Sequence, residues 1–366
     1  MTVLVAPDKF KGSLTAAEVA SLVAEGFAAV SAEPVRLLPV ADGGDGTVAA
    51  AVAAGFRRVP ARVHGPTGRR VTAYFALQDD VAVVELAEAS GLHRLPGGVP
   101  QPLTASSIGT GELIAAAVAA GASRVVLGVG GSACTDGGAG MLTALGARLL
   151  DASGAVLPPG GAALASLATA DLSDVAPVEI SLASDVDNPL LGPSGAAAVY
   201  GPQKGASIED VLTLERGLRR WSEVIGPEFA AEPGAGAAGG VGFAALAVLG
   251  ARMRPGSALM LELLGFSDAV RDARLVVTGE GSLDEQSLRG KAPIGVQRAA
   301  AAAGVPVVAV AGRCLLSPED WRAAGFEAVY ALTDLEPDPA RCVADARSLL
   351  RRRAEQLARE CLTLSG

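Results

Sequence analysis

Short apolar runs alternate with helical patterns at both ends of the chain, and this alternation strongly limits the folds open to it. The stretch TVLVAP predicts a buried strand, and Thr15 and Glu18 after it have the spacing of a helix capping box. A second strand, PVRLLPVAD, leads into an Ala-rich helix that ends at Gly55. In the last third, ARLVVTGEGS, VPVVAVAG and FEAVYAL predict strands with helices between them. This order is typical of a parallel sheet covered by helices.

The middle of the chain has a different pattern. The stretches RRVPARVHGP, TAYFALQ and VAVVELAEASG follow one another without a helix, which indicates a mixed or antiparallel sheet. A length of 366 residues also favours two domains. We therefore predict an α/β protein with a discontinuous Rossmann-like, doubly wound parallel-sheet domain (1–61 and 271–366). An α+β domain with a mixed sheet (62–270) is inserted into it.

Charge and composition exclude several classes of protein. The formal net charge is −9, and RRR at 351–353 is the longest basic tract, which argues against nucleic acid or an anionic membrane as a partner. The N-terminal apolar run breaks at Pro7, too early for a signal peptide, and no stretch approaches the roughly twenty apolar residues of a membrane span. The four cysteines lack CxxC spacing, so neither a zinc site nor a disulfide framework is indicated. A cytoplasmic protein is expected.

The lysines are few and unevenly placed. Of 30 basic residues only four are lysines, and all four lie in Gly- or Pro-containing turns: Lys9, Lys11, Lys204 and Lys291. Loss of lysine through codon bias would scatter the survivors. A lysine ammonium is a compact charge on a flexible stem that suits contact with a phosphate. We interpret the lysines as residues of an anion-binding site.

Acidic residues also collect in turns that follow predicted strands. The candidates are Asp42, Asp45, Asp136, Asp185, Asp187, Glu280 and Asp284. Any one of them could serve an Asx turn or cap a helix. Together with the lysines they supply the group types that metal-assisted phosphoryl transfer requires. His64 and His93 stand outside these motifs, which gives a Ser-His-Asp hydrolase little support.

The glycine patterns do not identify a nucleotide fold by themselves. The phosphate loop motif GxxxxGK[ST] does not occur, and the two GxGxxG-like matches, GAGAAG and GVGGSA, are expected by chance among 46 glycines. Neither match opens the first strand-helix-strand unit, which weakens an oxidoreductase interpretation. Backbone amides in such loops can still cradle phosphate oxygens.

Nine motifs in order resemble one known family. They are APDKFKGSLTA, VADGGDGT, ASGL, GTGEL, GVGGSACTDGGAGM, SDVDNPL, GPQKGA, GAAGG and GEGSLDEQSLRGKAPIGV, and they resemble the bacterial glycerate kinase family over most of the chain. The resemblance implies ATP-dependent phosphorylation of D-glycerate, at the 2-hydroxyl, in the cleft between two α/β domains. ATP and Mg²⁺ are the cofactors it implies, and a homodimer is one assembly that it leaves open.

The resemblance also implies roles for residues of this chain. Asp187 is predicted as the general base, Lys9 and Lys11 as cations that meet ATP or glycerate, and Asp185 and Asp284 as metal ligands. The predicted substrate- and phosphate-binding residues are Ser13, Asp42, Gly43, Gly44, Asp45, Gly130, Gly131, Ser132, Asp136, Asn188, Lys204, Glu280 and Lys291.

This chain departs from the family pattern at several positions. Ile108 and Ser184 replace an aromatic residue and a cysteine that are common there, and Ser282 stands where an arginine often follows GEG. Another cation, such as Lys291, would then cover the role of that arginine. Two other classes stay open from sequence: a Rossmann-type oxidoreductase and a non-catalytic sensor of a small phosphorylated metabolite.

Overall fold

The computed structural model of the protein describes residues 2–363, without the side chains of residues 289, 362 and 363. Within that range the chain forms thirteen strands: β1 Thr2–Val5, β2 Val35–Leu37, β3 Arg57–His64, β4 Arg70–Gln78, β5 Val81–Glu85, β6 Arg124–Gly128, β7 Arg148–Leu150, β8 Thr169–Asp171, β9 Glu179–Ala183, β10 Arg252–Arg254, β11 Ala273–Leu283, β12 Val307–Cys314 and β13 Ala328–Ala331.

Fourteen α-helices lie between and after these strands in the same range: α1 Ala16–Ala28, α2 Thr47–Ala53, α3 Leu86–Ser90, α4 Ile108–Ala119, α5 Ala139–Ala144, α6 Ala196–Tyr200, α7 Ile208–Ile225, α8 Ala237–Ala247, α9 Gly256–Leu263, α10 Phe266–Val270, α11 Ala292–Ala302, α12 Pro318–Ala323, α13 Pro339–Ala344 and α14 Ala346–Thr363. In the described part of the chain, no helix combines the length and the apolar character that crossing a membrane requires.

The chain divides into two compact units. The first comprises residues 2–42, 49–54 and 255–363, and the second comprises residues 43–48 and 55–254. Each unit has its own sheet and its own hydrophobic core. β3 pairs with β4 along its whole length and belongs to the second unit, whereas α9 packs on α11 in the first. The domain limits predicted from the sequence (61/62 and 270/271) stay a prediction.

The first unit is built on a parallel sheet. Its strand order is β13-β12-β11-β1-β2, and every neighbouring pair is parallel. The capping box predicted at Thr15 and Glu18 begins α1. A Cβ at Gly26 would lie 2.4 Å from the Cβ of Ala354, so this glycine allows α1 and α14 to pack closely. The carboxyl ends of β1, β2 and β11 all meet one edge of this sheet.

The second unit is built on a mixed sheet. Its strand order is β10-β9-β6-β5-β4-β3, antiparallel from β3 to β5 and parallel from β5 to β10. Trp221 of α7 is fully buried and donates a hydrogen bond from Nε1 to Gly137 O at 2.9 Å. The predicted fold class, an α/β protein with one parallel and one mixed sheet, is confirmed.

Candidate active site

Three carboxylates converge at the carboxyl edge of the first unit's sheet. Asp8 follows β1, Asp42 follows β2, and Glu280 lies within β11, close to its carboxyl end. Electrostatic repulsion links Asp8 to both of the others, and it also links Glu280 to Asp42. Parallel strands place their carboxyl ends at one edge, so three segments distant in sequence bring their acidic groups together there.

Asp8 is buried although it is acidic. Its side chain accepts a hydrogen bond from Lys9 N at 2.7 Å, and the Lys9 ammonium lies 3.9 Å from the same oxygen. Burial raises the pKa of Asp8 to about 7, and the Asp42 and Glu280 carboxylates add to the rise while Lys9 opposes it. Asp8 can therefore take up or release a proton near neutral pH.

Glu280 is also buried, with 7% of its surface exposed. The Lys291 ammonium lies 3.6 Å from its Oε2 atom. Its Oε1 atom is buried and receives no hydrogen bond from the described residues. Burial raises the pKa of Glu280, although Ser287 and the Lys291 ammonium act to lower it. The hydroxyl of Ser287 is nonetheless directed to Ser282 O and Asp284 Oδ1, at 3.3 and 3.5 Å.

Asp284 organises the loop that follows β11. Its Oδ1 atom accepts hydrogen bonds from Gln286 N and Ser287 N at 3.0 and 3.3 Å, in the manner of an Asx turn. The Lys291 ammonium lies 4.0 Å from that oxygen. Burial raises the pKa of Asp284, but Lys291 and the two N–H groups outweigh it and leave the pKa below its usual value.

Ser282 and Arg313 pair across β11 and β12. The Nε atom of Arg313 donates a hydrogen bond to Ser282 Oγ at 3.0 Å, and the rest of this arginine is exposed. A guanidinium from the neighbouring strand therefore lies beside the position where the family pattern often has an arginine.

In the second unit, the turn at residues 43–46 packs on the loop after β6. A Cβ at Gly130 would lie 2.5 Å from Gly44 Cα, and one at Gly43, whose φ is +89°, would lie 2.6 Å from Ala183 O. Gly130 N donates to Gly43 O at 3.3 Å. Glycine is needed here because the two backbones approach too closely for any side chain. The predicted phosphate-binding glycines of the turn at 43–46 and of the loop after β6 thus pack against each other, and we call this contact the glycine layer.

Glu85, at the carboxyl end of β5, fixes this turn from within the second unit. Its carboxylate accepts hydrogen bonds from Gly46 N and Val48 N, each at 3.1 Å. Both donors lie at the start of α2, where N–H groups lack partners within the helix. Burial raises the pKa of Glu85 to about 7, although these hydrogen bonds oppose the rise.

Asp136 is almost fully buried and joins two loops of the second unit. Its Oδ2 atom accepts hydrogen bonds from Ser107 N and Ser107 Oγ at 2.8 and 2.9 Å, and from Ser106 Oγ at 3.2 Å. Gly138 N and Gly140 N also donate to its carboxylate, at 3.2 and 3.3 Å. This carboxylate ties the start of α4 to the start of α5.

Lys204 lies in the interior of the second unit with 2% of its surface exposed. Its ammonium donates a hydrogen bond to Cys134 O at 2.5 Å. Burial lowers the pKa of Lys204 to about 8, although Asp136 nearby favours the charged form. Lys204 thus differs from Lys9, Lys11 and Lys291, which are at least partly exposed.

The segment after β9 carries the remaining predicted residues. Asp185 and Asp187 are exposed, whereas Asn188 is half-buried. Asn188 Nδ2 donates to Ser194 O at 2.8 Å, and Tyr200 donates its hydroxyl hydrogen to Asn188 Oδ1 at 2.6 Å. Asn188 therefore closes a loop and leaves the two aspartates at the surface of their unit.

Comparison with known proteins decides which family this arrangement belongs to. The model of the glycerate kinase family matches residues 3–362. The chain belongs to the glycerate kinase family. Three relatives in the family match along most of their length. Glycerate kinase of Halalkalibacterium halodurans is 43% identical (98% of this chain, 97% of the relative), and glycerate kinase of Bacillus subtilis is 44% identical (91% and 90%). Glycerate 2-kinase of Escherichia coli K12 is 41% identical, over 85% of each chain.

A solved structure supports the same family. A crystal structure of a Salmonella typhimurium LT2 protein, provisionally named glycerate kinase 2, superposes with a TM-score of 0.85 at 39% identity. The match covers 100% of this chain and 99% of that one. The glycerate kinase fold thus extends over both units.

The residues predicted from sequence form two groups, one in each unit. The first unit holds Lys9, Lys11, Ser13, Asp42, Glu280, Asp284 and Lys291. The second unit holds Gly43, Gly44, Asp45, Gly130, Gly131, Ser132, Asp136, Asp185, Asp187, Asn188 and Lys204. Ser13 closes its own turn by donating from Oγ to Phe10 O at 3.1 Å. Their functional roles in the glycerate kinase family stay predictions.

Two residues of the site were missed from sequence. Asp8 and Glu85 both occur at or just after the carboxyl end of an apolar strand, the same signal that singled out Asp42 and Asp284. Asp8 lies beside Lys9 in the same motif, and Glu85 falls within a stretch interpreted as a plain strand. Their burial, which makes both chemically unusual, depends on packing that the local pattern does not reveal.

Proposed function

We propose that the protein transfers the terminal phosphoryl group of ATP to the 2-hydroxyl of D-glycerate. The observation that carries this proposal is the full-length match to the glycerate kinase family, with a relative named glycerate 2-kinase. The geometry agrees, because each unit offers anion-binding groups at the carboxyl edge of its sheet. An active site between the two units stays a prediction.

The cationic groups would meet the negative charge of the substrates. Lys9, Lys11 and Lys291 lie on loops at the carboxyl edge of the first unit. Phosphoryl transfer spreads charge over the transferred oxygens, and positioned cations stabilise it. The backbone amides of the glycine layer at Gly43 and Gly130 suit the phosphates of the nucleotide. The exposed guanidinium of Arg313 supplies a further cation beside Ser282.

Asp187 is the proposed general base. Its carboxylate is exposed on the loop after β9, so a substrate hydroxyl can reach it. A base in this role accepts the proton of the attacking hydroxyl, and the oxygen then bonds to phosphorus as ADP leaves.

Magnesium is the metal that a kinase of this kind implies. Across residues 2–363, no three His, Cys, Asp or Glu side chains are arranged to hold a metal ion by themselves. Mg²⁺ commonly binds through one or two carboxylates together with waters and substrate phosphates, where it neutralises developing charge. The orphaned Oε1 atom of Glu280 fits such a partial site. The roles of Asp185 and Asp284 as ligands stay predictions.

A coupled assay of ADP release with D-glycerate tests the proposal. We expect ADP release to depend on D-glycerate, and ³¹P-coupled NMR of the product to place the phosphate on C2. Lactate, which lacks the 3-hydroxyl, and NAD with the same acids serve as controls. Nucleotide or glycerate binding without ADP release would favour the sensor, NAD reduction would favour the oxidoreductase, and a phosphate on C3 would overturn the 2-hydroxyl assignment. A homodimer and a cytoplasmic location stay predictions.

A further inference from the structure

Glu280 carries a carboxylate oxygen that the protein itself leaves without a donor. Its Oε1 atom is buried, and no described group donates a hydrogen bond to it. Nearly all buried polar atoms in folded proteins have a partner, so such an atom points to a missing ligand. The hydroxyl of Ser287 donates instead toward Ser282 O and Asp284 Oδ1, at 3.3 and 3.5 Å.

The surroundings of Glu280 favour a cation as this ligand. The Asp42 carboxylate lies close enough to repel Glu280, and Asp8 interacts with both. The Lys9 ammonium pairs with Asp8 at 3.9 Å, and the Lys291 ammonium pairs with Glu280 through Oε2 at 3.6 Å. Neither ammonium donates a hydrogen bond to Glu280 Oε1, which accepts none from the described residues. Carboxylates that converge in a buried place are stabilised by a shared cation.

The donor set indicates the class of cation. Carboxylate oxygens are ligands for hard divalent cations such as Mg²⁺ and Mn²⁺. Since the described residues do not form a complete three-ligand cage, other oxygens must complete the coordination. A nucleotide provides them through its phosphates. Binding should therefore be weak for the cation alone and stronger when a nucleotide is present.

We infer that Glu280 and Asp42 form the protein's half of a divalent-cation site at the carboxyl edge of the first unit's sheet. This inference rests on the proposed function in one respect: it takes from it the nucleotide whose phosphates supply the remaining ligands of the cation. It differs from the ligand pair predicted from sequence, because Asp284 Oδ1 accepts two backbone hydrogen bonds and Asp284 Oδ2 accepts one from Ser282 Oγ at 3.3 Å. Asp284 therefore serves its loop rather than the cation.

Mn²⁺ binding to the full chain tests the site without any turnover. Free Mn²⁺ is measured by electron paramagnetic resonance in titrations of the protein with ADP bound and without ADP. We expect the wild-type protein with ADP bound to bind Mn²⁺ at least tenfold more tightly than either the protein alone or ADP alone. Glu280→Gln should lower the Mn²⁺ affinity of the ADP-bound protein at least tenfold, and Asp42→Asn should lower it too. ADP affinity is measured without metal in both variants, and a loss there as large as the loss of Mn²⁺ affinity would overturn the inference.

Two further variants sharpen the test. Glu327→Gln changes an exposed glutamate just before β13, at the amino edge of the same sheet, and should bind Mn²⁺ like the wild type. Asp284→Asn separates this inference from the sequence-based ligand prediction. Loss of Mn²⁺ in Asp284→Asn with retention in Glu280→Gln would overturn the inference. If Glu280→Gln does not fold, Asp42→Asn decides, and unchanged Mn²⁺ affinity in that variant overturns it equally.

The outcome is separable from that of the proposed function. Mn²⁺ binding that depends on ADP and Glu280, in a protein that does not phosphorylate glycerate, would support the cation site and refute the proposed substrate. Glycerate phosphorylation with Mn²⁺ affinity unaffected by Glu280 and Asp42 would support the substrate and refute the cation site.

Discussion

The ammonium of Lys204 donates a hydrogen bond to the carbonyl oxygen of Cys134, 70 residues earlier in the chain, in the interior of the second unit. This lysine is the one of the four whose charge is almost fully enclosed by protein. Its proposed contact with phosphate therefore competes with a structural role. The loops at residues 130–138 and 201–206 are joined through this bond.

Lys204→Arg should destabilise the second unit. The guanidinium is larger than the ammonium and cannot fit the same space, where a Cβ on Gly239 would already lie 2.9 Å from the Lys204 Nζ atom. We expect the free energy of unfolding to fall by about 1–3 kcal/mol. In a Trp321→Phe background, fluorescence of the buried Trp221 reports urea unfolding of this unit. Lys11→Arg, at an exposed position, is the matched control, and equal midpoints for the two variants would contradict a structural role for Lys204.

Asp136→Asn should also act on stability. One carboxylate oxygen becomes an NH₂ group that faces donors already directed at it, so at least one buried donor loses its acceptor. We expect a loss of about 3 kcal/mol in the free energy of unfolding. Asp151→Asn, in a solvent-exposed turn with similar Asp-to-backbone bonds, should have a much smaller effect. Normal folding of Asp136→Asn with lost turnover would instead favour the substrate-binding role predicted from sequence.

Asp8 gives the first unit a dependence on pH whose sign follows from its burial. Its pKa is raised from 3.8 to about 7, so the folded protein binds this proton more tightly than the unfolded chain does. Stability should therefore fall as the pH rises between about 4 and 7, by up to about 1.4 kcal/mol per pH unit for this one proton. Glu85 should act with the same sign in the second unit.

Asp8→Asn should flatten this decline, because the amide stays neutral over the whole range. Urea unfolding followed by circular dichroism at pH 5, 6 and 7 measures the slope. Asp80→Asn is the control, since the pKa of Asp80 is lowered to about 2 by its hydrogen bonds with Arg124 and Ser123, and it is ionised at each of these pH values. A slope in Asp8→Asn identical to that of the wild type would show that Asp8 does not carry the proton.

Local signals predicted much of the fold. The capping box at Thr15 and Glu18 was recognisable because all its groups lie within four consecutive residues, and the structure confirms it. The mixed sheet was recognisable because three strands follow one another without a helix. Both inferences depend on neighbouring residues alone.

The environments of the site residues depend on the tertiary fold and were less accessible. Lys9 and Lys204 look alike in sequence, each in a short turn, yet one is partly exposed and the other is buried. The difference comes from segments far along the chain that pack around Lys204. The same holds for Glu280, whose partners Asp8 and Asp42 lie more than 200 residues away in sequence.

Asp187→Asn should lower turnover without lowering stability. The carboxylate is exposed, so its loss should change the free energy of unfolding by no more than about 0.5 kcal/mol. If Asp187 accepts the proton of the substrate hydroxyl, kcat should fall by about 10²–10⁴. The coupled ADP assay and a thermal melt give both values. Glu209→Gln, another exposed acid in the second unit, should keep wild-type turnover, and near-wild-type turnover in Asp187→Asn would remove Asp187 from the mechanism.

The last prediction concerns the three lysines that are at least partly exposed. Lys9 and Lys291 stand beside acids, 3.9 Å from Asp8 and 3.6 Å from Glu280, while Lys11 is exposed next to β11. Each can be replaced with arginine, which keeps the charge but changes its shape. If these ammonium groups contact phosphate or carboxylate oxygens, at least two of the three variants should lose roughly tenfold in kcat/KM, about 1.4 kcal/mol.

Stability separates this effect from a folding defect. Lys11→Arg should leave the thermal melt unchanged, and Lys9→Arg and Lys291→Arg should change it little, because solvent can receive the longer side chain at each position. The largest losses of kcat/KM are expected at Lys9 or Lys11, which follow β1 at the sheet edge where such folds bind ligands. Wild-type kcat/KM in all three variants would mean that these lysines do not meet the substrates, and that their restriction to turns has another cause.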